Sequence, residues 1–442
     1  MTHSGKTDVM REVEVRYAVR DGKRLAYEVF GSGPCDVIVI QSAFPIDLMW
    51  DLPQLTSFME TLGGFARVIV SDLRGSGASD PILDPGAATI ETTADDLVAV
   101  LDAAGSERAT LFDIASGVTS VVFAATHPQR VRSLILCNLR SSFPELRRMS
   151  AEQRQDYALA RLTTQSLEID NPRVAHDHVL QQWWGRARRL LSSPEVSIGQ
   201  IEWGARIDVE SALPAVRAPA LVLHRGENRR WDLEVSRAAA SRIPGARFVE
   251  LPGSETDLFL GDTAPVLEEI EHFLREEQPD VTDDRPLATV LFTDIVASTE
   301  QLASVGDTAW RHIMDDHDKI VERAVTAHRG RVVRSTGDGT LATFDGPARA
   351  VRCAAAIRDA VAVHSLGVRA GLHTGEIELR EDDVAGIAVH IASRVAALAQ
   401  PGEILVSRTV VDLTAGSGIT FDPRGDHQLK GVPGDWPLFA VH

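Results

Sequence analysis

The first half of the chain alternates short, nearly continuous apolar runs with stretches of helical spacing. "CDVIVIQSAF" (35–44), "ARVIVSDLRG" (66–75), "ATLFDIA" (109–115), "VRSLILCNL" (131–139), "APALVLHRG" (218–226) and "ARFVELPG" (246–253) read as strands buried on both faces. Segments such as "TTADDLVAVLDAAG", closed by Gly105, read as the helices between them. This alternation predicts a doubly wound α/β fold. Residues 141–215 break the rhythm. They are rich in Arg, Gln and Trp ("QQWWGRARRLL") and predict an inserted helical cap.

The segment "REEQPDVTDDRP" (275–286) carries two prolines and five acidic residues, the composition of a linker. It divides the chain into a first domain, 1–278, a linker, 279–286, and a second domain, 287–442. The second domain has another rhythm. Strand "LATVLFTDI" is followed by one long helix from about Ser298 to His328, with Trp310, Ile313, Met314, Ile320, Val321, Ala324 and Val325 at helical spacing. Then come strand "RVVRS", a turn at "TGDG", strand "TLATF", helix "ARAVRCAAAIRDAVAVH" and strand "VRAGLHTGEIEL". The order β-α-β-β-α-β predicts an α+β ferredoxin-like unit.

Composition narrows the function. At 442 residues the chain exceeds one typical core. A formal net charge of −18 argues against general binding to nucleic acid or anionic membranes. The three cysteines, Cys35, Cys137 and Cys353, are widely spaced and form no C-x-x-C, so neither a disulfide framework nor a zinc site is expected. The polar first 25 residues show no signal peptide, and no apolar run approaches the length of a membrane span. A cytoplasmic protein is the expectation.

The blocks "SDLRGSGASD" (71–80), "FAATHPQRVRSLIL" (123–136) and "RIPGARFVELPG" (242–253) resemble the α/β-hydrolase family, and the resemblance covers roughly residues 10–278. That family carries G-x-S-x-G on a sharp strand-to-helix turn. Here the five positions are Asp113, Ile114, Ala115, Ser116 and Gly117, so the nucleophile position holds Ala115. The acid position falls at about Asn228 and the histidine position at about Thr256. Glu227 and His224 lie near the acid position, but neither supplies a nucleophile. The usual His-Gly of the oxyanion loop reads Gln41-Ser42. A triad needs all three members, so this domain is expected to be non-catalytic. It serves either as a packing module or as a pocket for a small apolar ligand that regulates its neighbour.

"LFTDIVAST", "RSTGDGTLATF", "AGLHTGEI", "GIAVHIASRVAALAQPGEILVS" and "LKGV" resemble, in order, blocks of the class III adenylate and guanylate cyclase catalytic domain. The resemblance covers residues 287–442. It implies that Asp294 and Asp338, with the backbone carbonyl of Ile295, hold two divalent metal ions, Mg²⁺ or Mn²⁺. The turn after Asp294, including Thr299, would meet the phosphates. Arg394 would stabilise charge on the α-phosphoryl group, His390 one helical turn earlier would bind ribose or phosphate, and Lys430 would reach the terminal phosphates. Arg334 and Asp383 occupy the base-selecting places, and Asp383 favours ATP as substrate. Family sites are built from two chains, which implies a homodimer through the cyclase domain. The expected protein is an adenylate cyclase with a degenerate hydrolase domain. The alternatives are a guanylate cyclase, a non-catalytic ligand-binding receptor or scaffold, and an esterase, which Ala115 argues against.

Overall fold

The computed structural model describes residues 14–82, 89–276, 285–335, 339–363, 366–379 and 383–442, without the side chain of Thr299. Asp338 and residues 279–284 of the expected linker lie outside the described residues.

The first domain is an eight-stranded sheet. Its strands are β1 (Arg16–Arg20), β2 (Lys23–Phe30), β3 (Asp36–Ile40), β4 (Arg67–Ser71), β5 (Ala109–Asp113), β6 (Val131–Cys137), β7 (Ala220–Arg225) and β8 (Arg247–Leu251). They lie in the order β1-β2-β4-β3-β5-β6-β7-β8; the six from β3 to β8 run parallel to one another, and β2 pairs antiparallel with β4. Successive residues feed two cores. Val37, Val39, Phe112, Ile135 and Leu221 pack on one face, and Ile38, Ile40, Leu111, Leu134 and Val222 on the other. This is why the strand sequences are continuously apolar. Helices α1 (Pro53–Phe65), α2 (Ile90–Ala103) and α3 (Val118–Thr126) are followed by five helices between β6 and β7: α4 (Pro144–Arg148), α5 (Ala151–Ala160), α6 (Gln165–Asp170), α7 (His178–Leu191) and α8 (Pro194–Gly204). Helices α9 (Leu233–Ala240) and α10 (Ala264–Glu276) complete it.

The antiparallel hairpin β1–β2 was not among the expected strands. It turns at Asp21-Gly22, both in the left-handed region with φ of 50° and 72°. Asp-Gly suits such a tight turn, so the dipeptide was the available signal.

The second domain is a seven-stranded sheet. Its elements are β9 (Leu287–Ile295), α11 (Ser298–Val305), α12 (Asp307–Ala327), β10 (Arg331–Ser335), β11 (Gly339–Phe344), α13 (Pro347–Ala362), β12 (Val368–Glu376), β13 (Glu378–Leu379), β14 (Val384–Ala385), α14 (Ile387–Leu398), β15 (Ile404–Ser407), α15 (Arg408–Leu413), β16 (Phe421–Gln428) and β17 (Asp435–Val441). The order β10-β11-β9-β12-β15-β17-β16 contains the expected ferredoxin-like unit in its first four strands. Val321 and Val325 of α12 join α13 on one face, and Ala388, Val389 and Ala392 of α14 cover the other.

One expectation is corrected. The single helix over 298–328 is two helices, α11 and α12, broken at Gly306 with φ of 80° and ψ of 160°. Apolar spacing carries through the break, so periodicity alone could not reveal it. Glycine reaches that conformation without a Cβ clash, and Asp307 opens the new helix with a favourable charge. At the far end of α12, Arg329 sits at φ 57°, where a residue with a Cβ costs roughly 1–2 kcal/mol.

A buried ion pair shapes the first domain at the end of β7. Arg225 is 1% exposed and its Nη1 donates to Glu255 Oε2 at 2.6 Å. Its Nη2 donates to the carbonyls of Leu260 (2.8 Å) and Asp262 (2.9 Å). A Cβ at Gly253 or Gly261 would lie 2.8 Å from the Arg225 guanidinium, so both glycines make room for it. Removing one member leaves the other charged and buried, which costs about 3–5 kcal/mol. Arg225→Ala is therefore expected to lower the unfolding free energy of this domain by that amount in urea titrations; a change below about 1 kcal/mol would contradict this role.

Candidate active site

Strand β9 carries Asp294 to the end of the second sheet, where the burial of its apolar run gives way to partial exposure. Two registers meet there. Asp294 lies opposite Gly339 of β11 and opposite Arg369 of β12. Arg369 donates from Nε (2.9 Å) and Nη2 (2.5 Å) to Asp294 Oδ2. Oδ1 makes no hydrogen bond among the described residues. Arg369 was absent from the sequence-derived candidates. Only the cross-strand register identifies it, since it is an ordinary polar position within a strand. Asp338 directly precedes Gly339 in sequence and lies outside the described residues.

The chain then turns sharply. Ile295 is buried, the Val296 amide donates to the Gly367 carbonyl at 2.8 Å, and Ala297 sits in the left-handed region at φ 55° before α11 begins. A strained alanine at such a turn is the kind of feature found beside functional groups. Thr299 stands in the first turn of α11.

The other candidates lie on separate elements. Arg334 of β10 approaches Asp383 with Nη1 at 3.5 Å from Oδ2, both about half exposed. Asp383 Oδ1 also accepts the Val384 amide at 2.8 Å, which orients its carboxylate. His390 and Arg394 lie one turn apart on the exposed side of α14, and Lys430 is exposed just beyond β16. Among the described residues none of these three forms a hydrogen bond or ion pair, and no contact joins them to Asp294. Within one chain the structure brings Arg334 to Asp383 and Asp294 to Arg369, and leaves the cationic face of α14 uncovered.

A metal fits one side of this arrangement. Among the described residues Asp294 offers a carboxylate oxygen free of hydrogen bonds, and oxygen donors suit hard divalent cations. Among the described residues no group of three or more His, Cys, Asp or Glu is close enough to hold a metal.

In the first domain the three degenerate positions share one end of the sheet. Ala115 follows β5; Thr256 Oγ1 donates to Asn228 Oδ1 at 3.5 Å, and Asn138 bonds to both residues. Two further features oppose hydrolysis. An oxyanion hole uses the amide after the nucleophile and an amide from the loop after β3. Here the Ser116 amide donates to Asp113 Oδ1 (3.2 Å), and the amides of Ala43 and Phe44 donate to Gln41 Oε1 (2.8 and 3.1 Å). Ala115 is also absent from the non-glycine residues in the left-handed region, so the nucleophile turn is relaxed. Asp113, where the family has glycine, is 1% exposed and also takes the Ala115 amide and the Ser120 hydroxyl. Burial pushes its carboxyl above the usual range. Glu227 pairs with Arg173 at the surface, and His224 is buried within β7 with Nδ1 on the Arg225 carbonyl, so they form no dyad.

The cap brings arginines rather than purely apolar groups to this place. Arg188 of α7 is 6% exposed, donates to the Ser42 carbonyl at 2.9 Å and stacks over Trp184 at 4.6 Å. It pairs with no carboxylate among the described residues, and its Nε has no partner. Burial, then the neighbouring charge of Arg161, push its pKa down to about 10. Arg230 and Arg140 flank the Trp231 ring at 4.1 and 4.4 Å, each also paired with an acid, Asp170 and Glu145.

Comparison with known proteins bears on both domains. Residues 282–442 match the family described as adenylate and guanylate cyclase catalytic domain, and residues 54–263 match the α/β hydrolase fold. A putative adenylate cyclase 3 from Rhizobium meliloti is 31% identical over 157 residues, 34% of this chain and 27% of that relative. The serine/threonine-protein kinase pkn2 of Myxococcus xanthus is 30% identical over 151 residues, 32% of this chain and 18% of that protein. The chain thus spans well under two thirds of either relative. Among solved structures, the α/β hydrolase MGS-M2 from a Medee basin deep-sea metagenome library aligns with a TM-score of 0.51 at 18% identity, over 60% of this chain and 100% of that one, which is a likeness of fold. The adenylyl cyclase CyaB from P. aeruginosa aligns at 22% identity with a TM-score of 0.34, over 36% of this chain and 94% of that one. The chain joins two families: an α/β-hydrolase-fold domain, matched over residues 54–263, precedes an adenylate and guanylate cyclase catalytic domain, matched over residues 282–442.

Proposed function

We propose that the protein is an adenylate cyclase that forms 3′,5′-cyclic AMP and pyrophosphate from ATP at the interface of a homodimer. The observation that carries this reading is the split of site groups within one chain. The Asp294 strand end and the exposed face of α14 with His390 and Arg394 do not meet, and a second copy can bring them together.

The reaction moves few atoms. The ribose 3′-hydroxyl gives up its proton to solvent water, its oxygen bonds to the α-phosphorus, and the bond from that phosphorus to the bridging oxygen breaks. Pyrophosphate leaves with the electron pair. Asp294 and Asp338, with the Ile295 carbonyl, would hold two divalent ions, Mg²⁺ or Mn²⁺, which when bound acidify the attacking hydroxyl and neutralise the leaving group. The amides of the turn at Ala297 and the start of α11, with Thr299, suit phosphate oxygens. From the second copy, Arg394 would meet the charge growing on the α-phosphoryl oxygens, Lys430 the terminal phosphates and His390 the ribose or phosphate. Asp383 would accept the adenine amino group and Arg334 would donate to the ring nitrogen. Guanine would set a carbonyl oxygen against the Asp383 carboxylate, a repulsive contact that disfavours GTP.

The hydrolase-fold domain acts in this reading as a regulatory module. A filled oxyanion loop and Ala115 argue against turnover, and the buried aromatic rings of the cap suit a small apolar ligand as the regulator. No helix among the described residues is long and apolar enough to cross a membrane.

Asp294→Ala is expected to abolish cyclic nucleotide formation, and Arg394→Ala to lower turnover about 10²–10³-fold with a smaller effect on KM. Mixing the two inactive chains should restore activity, because one of the two sites in a heterodimer is intact. Heterodimers that form and stay inactive would refute the shared site. Wild-type enzyme assayed with Mg²⁺ and Mn²⁺ should use ATP better than GTP; the reverse order would overturn the role given to Asp383. No esterase turnover on short acyl esters should appear, nor in Ala115→Ser.

A further inference from the structure

The two domains meet through buried charge, and that contact reaches the open end of one hairpin of the cyclase sheet. Helix α2 of the hydrolase-fold domain places Glu91 and Asp95 one turn apart, 7% and 6% exposed. Glu91 accepts the backbone amides of Ala348 and Arg349 in the first turn of α13. It caps a helix of the other domain, whose own N-cap, Gly346, has no side chain to offer. A Cβ at Gly346 would lie 2.2 Å from Glu91 Cδ, so that glycine makes room for the carboxylate. Asp95 Oδ2 accepts Arg329 Nη1 at 2.6 Å and also Arg349 Nη2, while Oδ1 lies 3.3 Å from Arg20. Arg329 turns its second arm to Asp21, and Arg349 Nη1 binds Asp345 at 2.7 Å. Burial holds the Glu91 carboxyl up at about 7.

These contacts grip both strands of one hairpin at its open end. Arg329 lies just before β10, and Asp345 just after β11. At the opposite end, β10 carries Arg334 to Asp383, and β11 starts with Gly339 opposite Asp294. The six residues of β11 span about 20 Å between the two ends. β10 is the edge strand of its sheet, largely exposed, with a register shift between Val332 and Arg334. An edge strand held on one side is among the less stable parts of a fold, so its setting depends on what fixes its start. Arg329 keeps a left-handed backbone at that place and spans to the other domain from it.

We propose that Glu91 and Asp95 are positioning residues for the cyclase site, acting through the β10–β11 hairpin, so that the hydrolase-fold domain sets the geometry of metal binding and base selection. The proposal rests on the cyclase reading above. It gives the regulatory module a route: a change in the position of α2 moves the open end of a strand pair whose other end lies in the site.

The test uses the full chain with Asp95→Asn and Glu91→Gln, and breaks the same contact from the cyclase side with Arg329→Ala at a partly exposed position. Hydrogen exchange of residues 331–344 should speed up about fivefold or more, while α14 keeps wild-type rates. In turnover assays the half-saturating Mn²⁺ concentration should rise severalfold and the ATP/GTP ratio of kcat/KM should fall, with Arg329→Lys recovering most of both. Unchanged exchange in all three variants overturns the proposal. An equal loss of kcat for both nucleotides, with metal dependence unchanged, also overturns it, because that pattern reports only a smaller folded fraction. A wild-type chain without cyclase activity, in which the variants still loosen the hairpin, would sink the cyclase reading while supporting the mechanical link.

Discussion

Strand β9 is hydrogen-bonded on both sides near its end, and the candidate active site depends on that double pairing. One register sets Gly339, and so the residue beside Asp338, against Asp294. The other sets Arg369 against the same aspartate. A shift of one residue in either pairing would turn the facing side chain to the opposite side of the sheet. The carboxylate that would bind metal is thus held by backbone ladders, and Arg369 steadies one of its oxygens.

The turn at Ala115 in the hydrolase-fold domain is tied down by local hydrogen bonds. Its nucleophile position is alanine, and the amides that would stabilise an oxyanion are bonded to Asp113 and Gln41. Asp113 occupies a place where the family has glycine, and its buried carboxylate ties down the turn that strain would otherwise keep open. Nearby, Arg188 is buried on the Ser42 carbonyl and the Trp184 ring, with the charges of Asp257 and Asp170 acting on it.

The domain contact places polar groups where apolar ones would pack more simply. Taking carboxylates and guanidinium groups out of water is costly unless each finds a partner, and here Asp95 serves three arginines while Glu91 serves a helix end. Such an arrangement is demanding in geometry, which suits a contact that specifies position. Beside it the apolar core of the first domain continues into Leu287, Leu413 and Ala415 of the second.

Much of this molecule was legible in its residues. Continuous apolar runs marked the parallel strands because both faces of that sheet are covered, and the order of elements marked the ferredoxin-like unit. Ala115 left the family's nucleophile position without an oxygen, which is read directly from the residue. Other features lay beyond a linear reading. Gly306 breaks a helix whose apolar spacing runs on unbroken, because spacing reports which face is buried and not the backbone angle at one residue. Arg369 joins Asp294, and Glu91 caps a helix that starts 256 positions later, only because strand register and domain docking bring distant positions together. The sequence determined which side chains each domain carries at its family's site positions; the tertiary structure decided which charges meet, because pairing depends on distances of a few ångströms that no spacing along the chain encodes.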